Sequence, residues 1–357
     1  MSSATASTGR TFPTAIDLFA GAGGLTLGLR WARFRVLGAV EIDPLAAETY
    51  RSNFPRVRLW ESDIRKVTVA AMLRELNLRP GQLDLLAGCP PCQGFTGLRS
   101  LNGHRRIRDG RNDLVLQFER FARGLRPKVV MLENVPGLRN DRRLRHLTRT
   151  LRQLGYVVTS GVLDASRFGV PQRRRRLILI ASRRQAIPLA VEQPRSMTVR
   201  DAIGALPDAG RSGDPLHDFP ETRGPRVLEL LARVPRDGGS RKDLGTETQL
   251  ACHQRCDGFK DVYGRMSWDD VAPTITSGCV NPSKGRFVHP EHNRSITLRE
   301  AALLQGFPLT FKFSLRRGKF AAAEMIGNAL PPLFVKRHAL DIRTHVRAGR
   351  GGQGSRS

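Results

Sequence analysis

The chain has 357 residues, of which 40% are hydrophobic, a share that supports a sizeable buried core and excludes a disordered protein. It carries 59 Lys and Arg against 32 Asp and Glu, a formal net charge of +27. This balance favours nucleic acid as a partner, although a coding preference for Arg would also raise the charge. The five cysteines argue against a disulfide framework, and no apolar run approaches the roughly 20 residues of a membrane span, so we expect a cytoplasmic protein.

Residues 1–13 are predicted to be disordered, and short apolar runs alternate with amphipathic stretches from residue 14 onward. The apolar runs predict strands at 14–19, 36–42, 83–87, 128–132 and 176–181. The amphipathic stretches predict helices at 25–33, 44–53, 114–125 and 142–154. Strands that alternate with helices predict an α/β fold, an open parallel sheet with helices on both faces.

The pattern changes after residue 182. Residues 183–290 are rich in Pro, Gly and charge, which predicts a second, smaller and more irregular domain, with helical stretches only at 199–206 and 226–234. Helical character returns at Thr297-Leu-Arg-Glu300, which predicts a capping box, and again over 320–346. We therefore predict one α/β domain, formed by 14–182 and 291–346, that 183–290 interrupts as an insertion, followed by a disordered tail at 347–357.

A glycine-rich turn, Asp17-Leu-Phe-Ala-Gly21-Ala-Gly23-Gly24, joins the first predicted strand to the first predicted helix. Glycines there let the backbone approach a ligand at the carboxyl end of a parallel sheet. Glu41 and Asp63, at the next two strand ends, could accept hydrogen bonds from a ribose diol and an adenine amino group. Because the spacing departs from Gly-x-Gly-x-x-Gly, an adenosyl ligand is favoured over a dinucleotide. A packing turn with two exposed loop carboxylates is the alternative.

The segment Gly88-Cys-Pro-Pro-Cys-Gln93 follows a predicted strand, and its two prolines stiffen the backbone before Cys92. Three interpretations compete: a zinc-binding pair, a thiol redox pair and a rigidly presented thiol nucleophile. No second ligand pair at suitable spacing supports zinc, and the Cys252-His-Gln-Arg-Cys256 segment also lacks partners. We expect no metal and favour the nucleophile.

Together with the turn at 17–24, the Cys92 segment resembles the DNA (cytosine-5)-methyltransferase family of bacterial restriction-modification systems. Further segments resemble the other motifs of that family in the same order. They are Asp109-Gly-Arg-Asn-Asp-Leu114, Glu133-Asn-Val135, Gln172-Arg-Arg-Arg-Arg176, Arg265 to Pro273-Thr-Ile-Thr276, Thr297 to Leu304-Gln-Gly-Phe-Pro308, and Gly327-Asn-Ala-Leu-Pro-Pro332. The resemblance covers most of the chain outside about 183–260, and Ala22 and Leu330 are small departures from it.

The resemblance implies a Rossmann-like, S-adenosylmethionine-dependent methyltransferase domain with an inserted target-recognition domain at 183–290. A target cytosine would be flipped out of duplex DNA, Cys92 would attack its carbon 6, and carbon 5 would take the methyl group of S-adenosyl-L-methionine. Glu133 would contact N3 and the exocyclic amino group. Arg174 and Arg176 would reach the base carbonyl and orient Glu133, whereas Arg173 and Arg175 are expected to be solvated. No residue is indicated as the base that removes the carbon 5 proton.

The resemblance also implies binding residues. For the cofactor they are Phe19, Ala20, Gly21, Gly23, Gly24, Glu41, Ile42, Asp63, Ile64, Pro90, Leu114, Asn328 and Ala329. For DNA they are the arginines of a loop expected to close behind Cys92 and residues of the recognition elements, namely Gln93, Arg99, Arg105, Arg106, Arg108, Arg265 and Thr274.

We expect a monomer that binds double-stranded DNA, with a cognate restriction endonuclease encoded nearby and no stable complex between the two. The tRNA-methylating branch of the same family is one alternative, and the long insertion and strong basicity favour duplex DNA over it. A catalytically idle DNA-binding protein is the other, and the joint presence of Cys92, Glu133 and the glycine turn argues against it.

Overall fold

The computed structural model describes residues 12–91, 113–245 and 261–351. Its strands are β1 (Thr14–Leu18), β2 (Arg35–Glu41), β3 (Arg58–Glu61), β4 (Leu85–Gly88), β5 (Val129–Asn134), β6 (Val157–Asp164) and β7 (Arg175–Ser182). Within the described residues they form one seven-stranded sheet in the order β3-β2-β1-β4-β5-β7-β6. The first five strands in sequence are parallel, so their carboxyl ends meet at one edge of the sheet, here called the carboxyl edge.

The prediction of a wholly parallel sheet is wrong for β7, which pairs antiparallel with both β5 and β6. The connection from β6 to β7, at 165–174, contains a single 3-10 turn, Ala165–Phe168, and no crossover helix. Parallel neighbours need a crossover of a dozen residues or more, whereas a short connection returns the chain antiparallel. The sheet is therefore mixed.

Two strands, β3 and β6, lack the apolar run that predicts a buried strand. The four residues of β3 include Arg58 and Glu61, and only Leu59 is buried. All residues of β6 are half-buried or exposed, because β6 is the edge strand of the sheet. Strands of this kind are recognised by their pairing with a neighbour more than by composition.

The helices are α1 (Gly24–Trp31), α2 (Pro44–Asn53), α3 (Val69–Glu75), α4 (Leu114–Leu125), α5 (Arg142–Gln153), α6 (Val199–Ile203), α7 (Pro225–Arg233), α8 (Leu298–Leu304), α9 (Gly318–Asn328) and α10 (Pro332–Gly351). The predicted capping box of α8 is confirmed, since Thr297 accepts from the Glu300 N–H and Glu300 accepts from the Thr297 N–H. The region predicted as one helix at 320–346 is two helices, because α9 ends at Asn328 and Pro332 begins α10.

Helices cover both faces of the sheet. Side chains of α1 and α10 pack with those of β1 and β4 on one face. Side chains of α3, α4 and α5 pack on the other face. A third cluster joins α2, α8 and α9 to α6 and to residues 266–280. The region 183–290 therefore shares apolar core with the α/β unit, besides a small cluster of its own around Leu231 and Val288.

Candidate active site

The strand order places the predicted site residues in a row along the carboxyl edge. Asp63 follows β3, Glu41 ends β2, the glycine turn follows β1, Pro90 follows β4, and Glu133 lies next to the end of β5. The strand order reverses between β1 and β4, and open α/β sheets bind their ligands at such a switch point. Residues far apart in sequence thus become neighbours. The predicted cofactor residues come first along the edge, then Pro90 and then Glu133.

The glycine turn after β1 has two glycines with distinct steric requirements. Gly23 has φ 100°, and a Cβ atom there would lie 2.3 Å from Cε2 of Phe54. Gly21 has φ 53°, yet a Cβ atom there would meet nothing within 4 Å. Gly23 is therefore required for packing, whereas Gly21 leaves open space where a ligand could approach the backbone. Gly24 packs against the Leu330 carbonyl, which brings the segment after α9 onto the turn.

Glu41 fastens the glycine turn to the end of β2. Its carboxylate accepts from the backbone N–H groups of Gly21 (2.6 Å), Ile42 (2.9 Å) and Asp43 (2.8 Å). Burial raises the pKa of Glu41 above its usual value, and these three hydrogen bonds oppose that shift. Asp63 accepts from the Arg65 N–H at 2.9 Å. The two predicted cofactor carboxylates are thus held by backbone donors at adjacent strand ends.

The remaining predicted cofactor residues differ in exposure. Ile42 is 63% exposed, whereas Ile64 is buried in the core beneath α3 and α4. Leu114 begins α4 and is half-buried against the same core. Asn328 is exposed and Ala329 buried, beside the Leu330 carbonyl that contacts the turn. Ile64 and Leu114 thus contribute packing, and Asn328 and Ala329 bring the C-terminal segment to the turn.

Asp17 is a buried carboxyl beneath the turn that the sequence did not single out as functional. Its Oδ2 accepts from the Thr26 hydroxyl at 2.7 Å, and Thr26 lies 2.8 Å from the Tyr50 hydroxyl. Its Oδ1 is buried with no hydrogen-bond partner among the described residues. Burial, reinforced by the charge of Glu41, raises the pKa of Asp17 to about 7. The sequence shows Asp17 only as the first residue of the glycine-rich motif, because burial cannot be read from a single position.

Glu133 and Arg176 form a nearly buried ion pair at the end of β5. The Arg176 Nε atom lies 2.8 Å from the Glu133 Oε1 atom, and the two side chains are 15% and 9% exposed. Antiparallel pairing of β5 with β7 brings them together, since Glu133 pairs with Ile178 two residues from Arg176. An arginine that holds a carboxylate fixes the orientation of that carboxylate. This confirms the predicted proximity of the two residues.

The prolyl loop after β4 is tied to the same strand. The Asn134 side chain donates to the Pro90 carbonyl at 2.8 Å, and its Oδ1 accepts from the Val135 N–H. Burial, together with the Glu133 charge, raises the pKa of the Cys89 thiol well above the usual value. Asn134 is a positioning residue that the motif contained but that the sequence did not identify. The Cys89 thiol stays protonated and is a poor nucleophile.

Comparison with known proteins decides the family. The model of the C-5 cytosine-specific DNA methylases matches residues 14–344, which is nearly the whole described chain. The chain belongs to the C-5 cytosine-specific DNA methylases. Its activity is methylation of cytosine carbon 5 in DNA, which requires a methyl donor.

Relatives and solved structures agree with this family. The Type II methylase M.HgiDII of Herpetosiphon aurantiacus is 38% identical over 333 residues, which cover 88% of this chain and 91% of the relative. The Type II methyltransferase M1.HphI of Haemophilus parahaemolyticus is 34% identical, over 90% of this chain and 84% of its own. The structure of the Entamoeba histolytica methyltransferase EhMeth has the same fold, with a TM-score of 0.64 at 14% identity over 94% of this chain and 99% of that one.

In this methylase Arg174 binds the protein rather than the carboxyl edge. Its guanidinium donates to the carbonyls of Ile275 (2.9 Å), Gly327 (3.0 Å) and Ala329 (3.2 Å), and it is 4% exposed. Burial lowers the pKa of Arg174 to about 9, so it stays charged at neutral pH. The expectation that Arg174 reaches the base carbonyl is therefore corrected to a positioning role. Arg173, in contrast, is solvated as predicted and pairs with Asp270.

Arg265 is also corrected, because the methylase buries it. It is 1% exposed, and its guanidinium donates to the carbonyls of Leu231, Val234, His289 and His292 and to the side chain of Asn293. No donor is left for a phosphate or a base edge. Thr274 is half-buried and donates to the Arg173 carbonyl at 2.6 Å, close to the buried Gln172. Thr274 thus remains a candidate for DNA contact, and Arg265 does not.

Several predicted residues lie outside the described residues, namely Cys92, Gln93, Arg99, Arg105, Arg106, Arg108, Cys252 and Cys256. Among the residues that are described, no group of His, Cys, Asp and Glu could hold a metal ion. No helix in the described ranges is long and apolar enough to cross a membrane.

Proposed function

We propose that this methylase transfers the methyl group of S-adenosyl-L-methionine to carbon 5 of a cytosine flipped out of duplex DNA, as the modification enzyme of a restriction-modification system. One observation carries the proposal. The carboxyl edge places the glycine turn and Glu41 on one side of the Pro90 loop and the Glu133–Arg176 pair on the other. The loop that leads into Cys92 therefore lies between the cofactor residues and the carboxylate.

The residues of the edge fit an adenosyl cofactor. Gly21 offers open backbone, Glu41 is already fixed as an acceptor at the end of β2, and Asp63 follows on β3. We assign the ribose hydroxyls to Glu41 and the adenine amino group to Asp63, with Asn328 and Ala329 closing the turn from the C-terminal side. When bound, S-adenosyl-L-methionine supplies an electrophilic methyl group on a sulfonium sulfur.

The chemistry rests on a thiolate beside a fixed carboxyl group. Cytosine carbon 5 is a weak nucleophile until the Cys92 sulfur adds to carbon 6, which makes carbon 5 enamine-like. Glu133 would hold N3 and the exocyclic amino group while this addition occurs, with Arg176 fixing its orientation. After carbon 5 has taken the methyl group, loss of the carbon 5 proton to a base and of the Cys92 thiolate from carbon 6 restores the aromatic ring. The carbon–sulfur bond that forms in the first step is thereby broken in the last.

Chemistry on a paired base requires its extrusion from the stack, which costs a few kcal/mol. Contacts with the DNA backbone would offset this cost, and we assign them to the basic loop at 99–111. Residues 183–290 would read the sequence in the major groove. The relatives named Type II methylases and methyltransferases support the assignment to a restriction-modification system with a separate endonuclease.

Covalent trapping tests the mechanism. Bisulfite sequencing of DNA from cells that express the chain identifies the modified sequence, and a duplex with 5-fluorocytosine at that position is then incubated with enzyme and S-adenosyl-L-methionine. Since fluorine cannot leave as a proton would, we expect a stable adduct that peptide mapping places at Cys92. Cys92→Ser should form none, whereas the matched control Cys89→Ser should still be trapped. An adduct on another residue, or none with an enzyme that methylates unmodified duplex, would overturn the mechanism.

A tritium-transfer assay tests the substrate. With labelled S-adenosyl-L-methionine, we expect label in duplex DNA and none in tRNA, with all DNA label in 5-methylcytosine. Label in tRNA alone would place the chain in the RNA-methylating branch. Equal, background-level labelling by wild type and Cys92→Ala would instead support the idle DNA-binding protein.

A further inference from the structure

The outer face of α5 is a row of arginines. This helix carries five arginines and His146 and no carboxylate, while Leu144, Leu147 and Leu151 bury its opposite side. Four of the arginines are exposed, namely Arg142, Arg145, Arg149 and Arg152. At 3.6 residues per turn these four positions lie within roughly 80° of one another, and they span about 15 Å along the axis. They form one stripe, here called the α5 stripe.

The arginines of the α5 stripe lack acidic partners. Among the described residues, none of the four contacts a carboxylate or any other hydrogen-bond acceptor. Some exposed arginines elsewhere do have such partners, as in the pairs Arg51–Glu61, Arg58–Glu75 and Arg200–Asp269. A coding preference for Arg explains basic residues in general, but it does not explain why acidic residues are missing from this one face.

The stripe borders a groove between α5 and the start of α4. Arg142, Arg145, Arg149 and His146 line one side of the groove, and Leu116 and Asp113 line the other. Asp113 is the one carboxylate of that lining, and the Arg143 Nε atom donates to it at 3.0 Å. Arg143 also pairs with Asp141, so the groove keeps a net positive charge. The Arg143–Asp113 ion pair links the start of α4 to α5.

The stripe begins near the carboxyl edge. Glu133 on β5 is followed by the 3-10 segment Pro136–Asn140 and then by α5, so Arg142 is at the end of the helix closest to the site. Asp113 precedes α4 directly and is the first described residue after position 91. From this end the stripe runs away from the site along the outside of the α/β unit.

We infer that the α5 stripe is an additional DNA-contacting surface, which binds phosphates of duplex DNA outside the recognised sequence. A single phosphate or nucleotide is bound by donors that converge, whereas these arginines stand in a row. Each DNA strand presents a phosphate about every 3.4 Å of helix axis, so a stripe of about 15 Å matches several successive phosphates. Contacts of this kind position a protein without reading sequence. The inference rests on the proposed function only in taking duplex DNA as the substrate.

The test compares two triple variants that each remove three positive charges. The stripe variant is Arg145→Gln, Arg149→Gln and Arg152→Gln. The control is Arg35→Gln, Arg74→Gln and Arg79→Gln, three exposed arginines at the opposite end of the strands that have no carboxylate contact within the described part of the chain. Affinity is measured by fluorescence anisotropy for a short duplex that covers the methylated sequence alone and for a long one extended by about two helical turns on each side.

We expect the affinity of the stripe variant for the long duplex to depend less steeply on salt concentration than that of wild type. Each phosphate contact contributes about 0.9 to the slope of log Kd against log salt, so the slope should fall by about 2–3, while the control keeps the wild-type slope. With the short duplex, kcat and Kd of the stripe variant should equal those of wild type. An unchanged slope, an equal loss in the control, or an equal loss on the short duplex would overturn the inference.

Two readouts keep this result independent of the proposed function. Wild-type methylation of the short duplex tests the chemistry, and its failure would leave the binding slopes interpretable. If thermal unfolding shows that the triple variant is destabilised, the single variant Arg149→Gln replaces it, with an expected slope change of about 0.9. An unchanged slope for that folded single variant would equally refute the stripe as a DNA contact.

Discussion

Arg174 and Arg176 lie only two residues apart in one motif, yet their guanidinium groups bind different partners. Arg176 meets the Glu133 carboxylate at the carboxyl edge, whereas Arg174 binds three backbone carbonyls. The first contact fixes the orientation of the Glu133 carboxylate, which in the proposed mechanism contacts the base. The second ties the start of β7 to Ile275 and to the C-terminal end of α9. The motif therefore combines an arginine that pairs with a carboxylate at the proposed site with one that binds backbone carbonyls.

Arg176→Gln should reduce turnover far more than Arg175→Gln, the matched control at the exposed neighbour. Loss of one preorganised donor to a reacting site costs about 100-fold to 1,000-fold in kcat, and the shorter, neutral amide of a glutamine cannot replace the charged contact to Glu133. Arg175 makes no contact with Glu133, so its replacement should leave kcat within about twofold. Tritium transfer at saturating DNA measures both. Equal kcat values for the two variants would contradict the assigned role of Arg176.

Asp17 should make stability depend on pH. Because its pKa is raised from 3.8 to about 7, the folded protein binds this proton more tightly than the unfolded chain does. The folded state is therefore favoured at low pH, and this contribution is lost as the pH rises from about 4 to about 7. Asp17→Asn keeps an acceptor for Thr26 and cannot titrate. Urea unfolding at several pH values should show a free energy that falls less steeply with pH in the variant than in wild type; parallel curves would disprove it.

At the scale of single residues the sequence predicts position better than burial. Glu133, Arg176, Glu41 and the glycines lie at the carboxyl edge, as expected where a motif coincides with a strand end. Arg174 and Arg265 could not be placed correctly, because an arginine that binds carbonyls inside the protein has the same letter as one that binds phosphate.

At the scale of elements, apolar runs located the central strands to within about two residues, and amphipathic stretches located α1, α2, α4 and α5. The failures among the strands have one cause, which is that strand pairing cannot be read from composition. β3 and β6 are polar or half-exposed strands held by neighbours, and β7 turns antiparallel because its connection is short. The strands and turns that meet at the carboxyl edge were predicted as strands and turns, but their order in the sheet was not predicted.

The glycine turn allows packing and ligand binding to be separated within one element. Gly23→Ala should destabilise the fold, because its Cβ atom would meet the Phe54 ring at 2.3 Å and φ is 100°. Gly21→Ala should cost only about 1–2 kcal/mol of unfolding free energy, the usual cost of left-handed backbone, since its Cβ atom meets nothing. Its cofactor affinity should fall nonetheless. Thermal unfolding measures the effect of each variant on stability, and calorimetry with S-adenosyl-L-methionine measures the effect on cofactor binding. Tight binding by Gly21→Ala would place the cofactor elsewhere.

At the scale of the molecule, the arginines behind the net charge of +27 include both buried and exposed side chains. Arg174, Arg265 and Arg299 are buried and bind carbonyls or a carboxylate, so they contribute to the count without contributing to a DNA-binding surface. Within the described residues, the α5 stripe has exposed charge without acidic partners. Charge counted from sequence therefore indicates a polyanionic partner but not where it binds.

Arg265 is buried, whereas the arginines of the α5 stripe are exposed, so its replacement tests whether buried arginines contribute to DNA binding. Arg265→Met removes the donor from four carbonyls and the Asn293 side chain, and each buried acceptor left without a partner costs about 1–3 kcal/mol. We expect a loss of more than about 3 kcal/mol in urea unfolding, even after relaxation and water entry. The salt slope of DNA binding, measured on the folded fraction at low temperature, should not change, because Arg265 reaches no phosphate. A stable variant with a slope reduced by about 0.9 would return Arg265 to the DNA-binding surface.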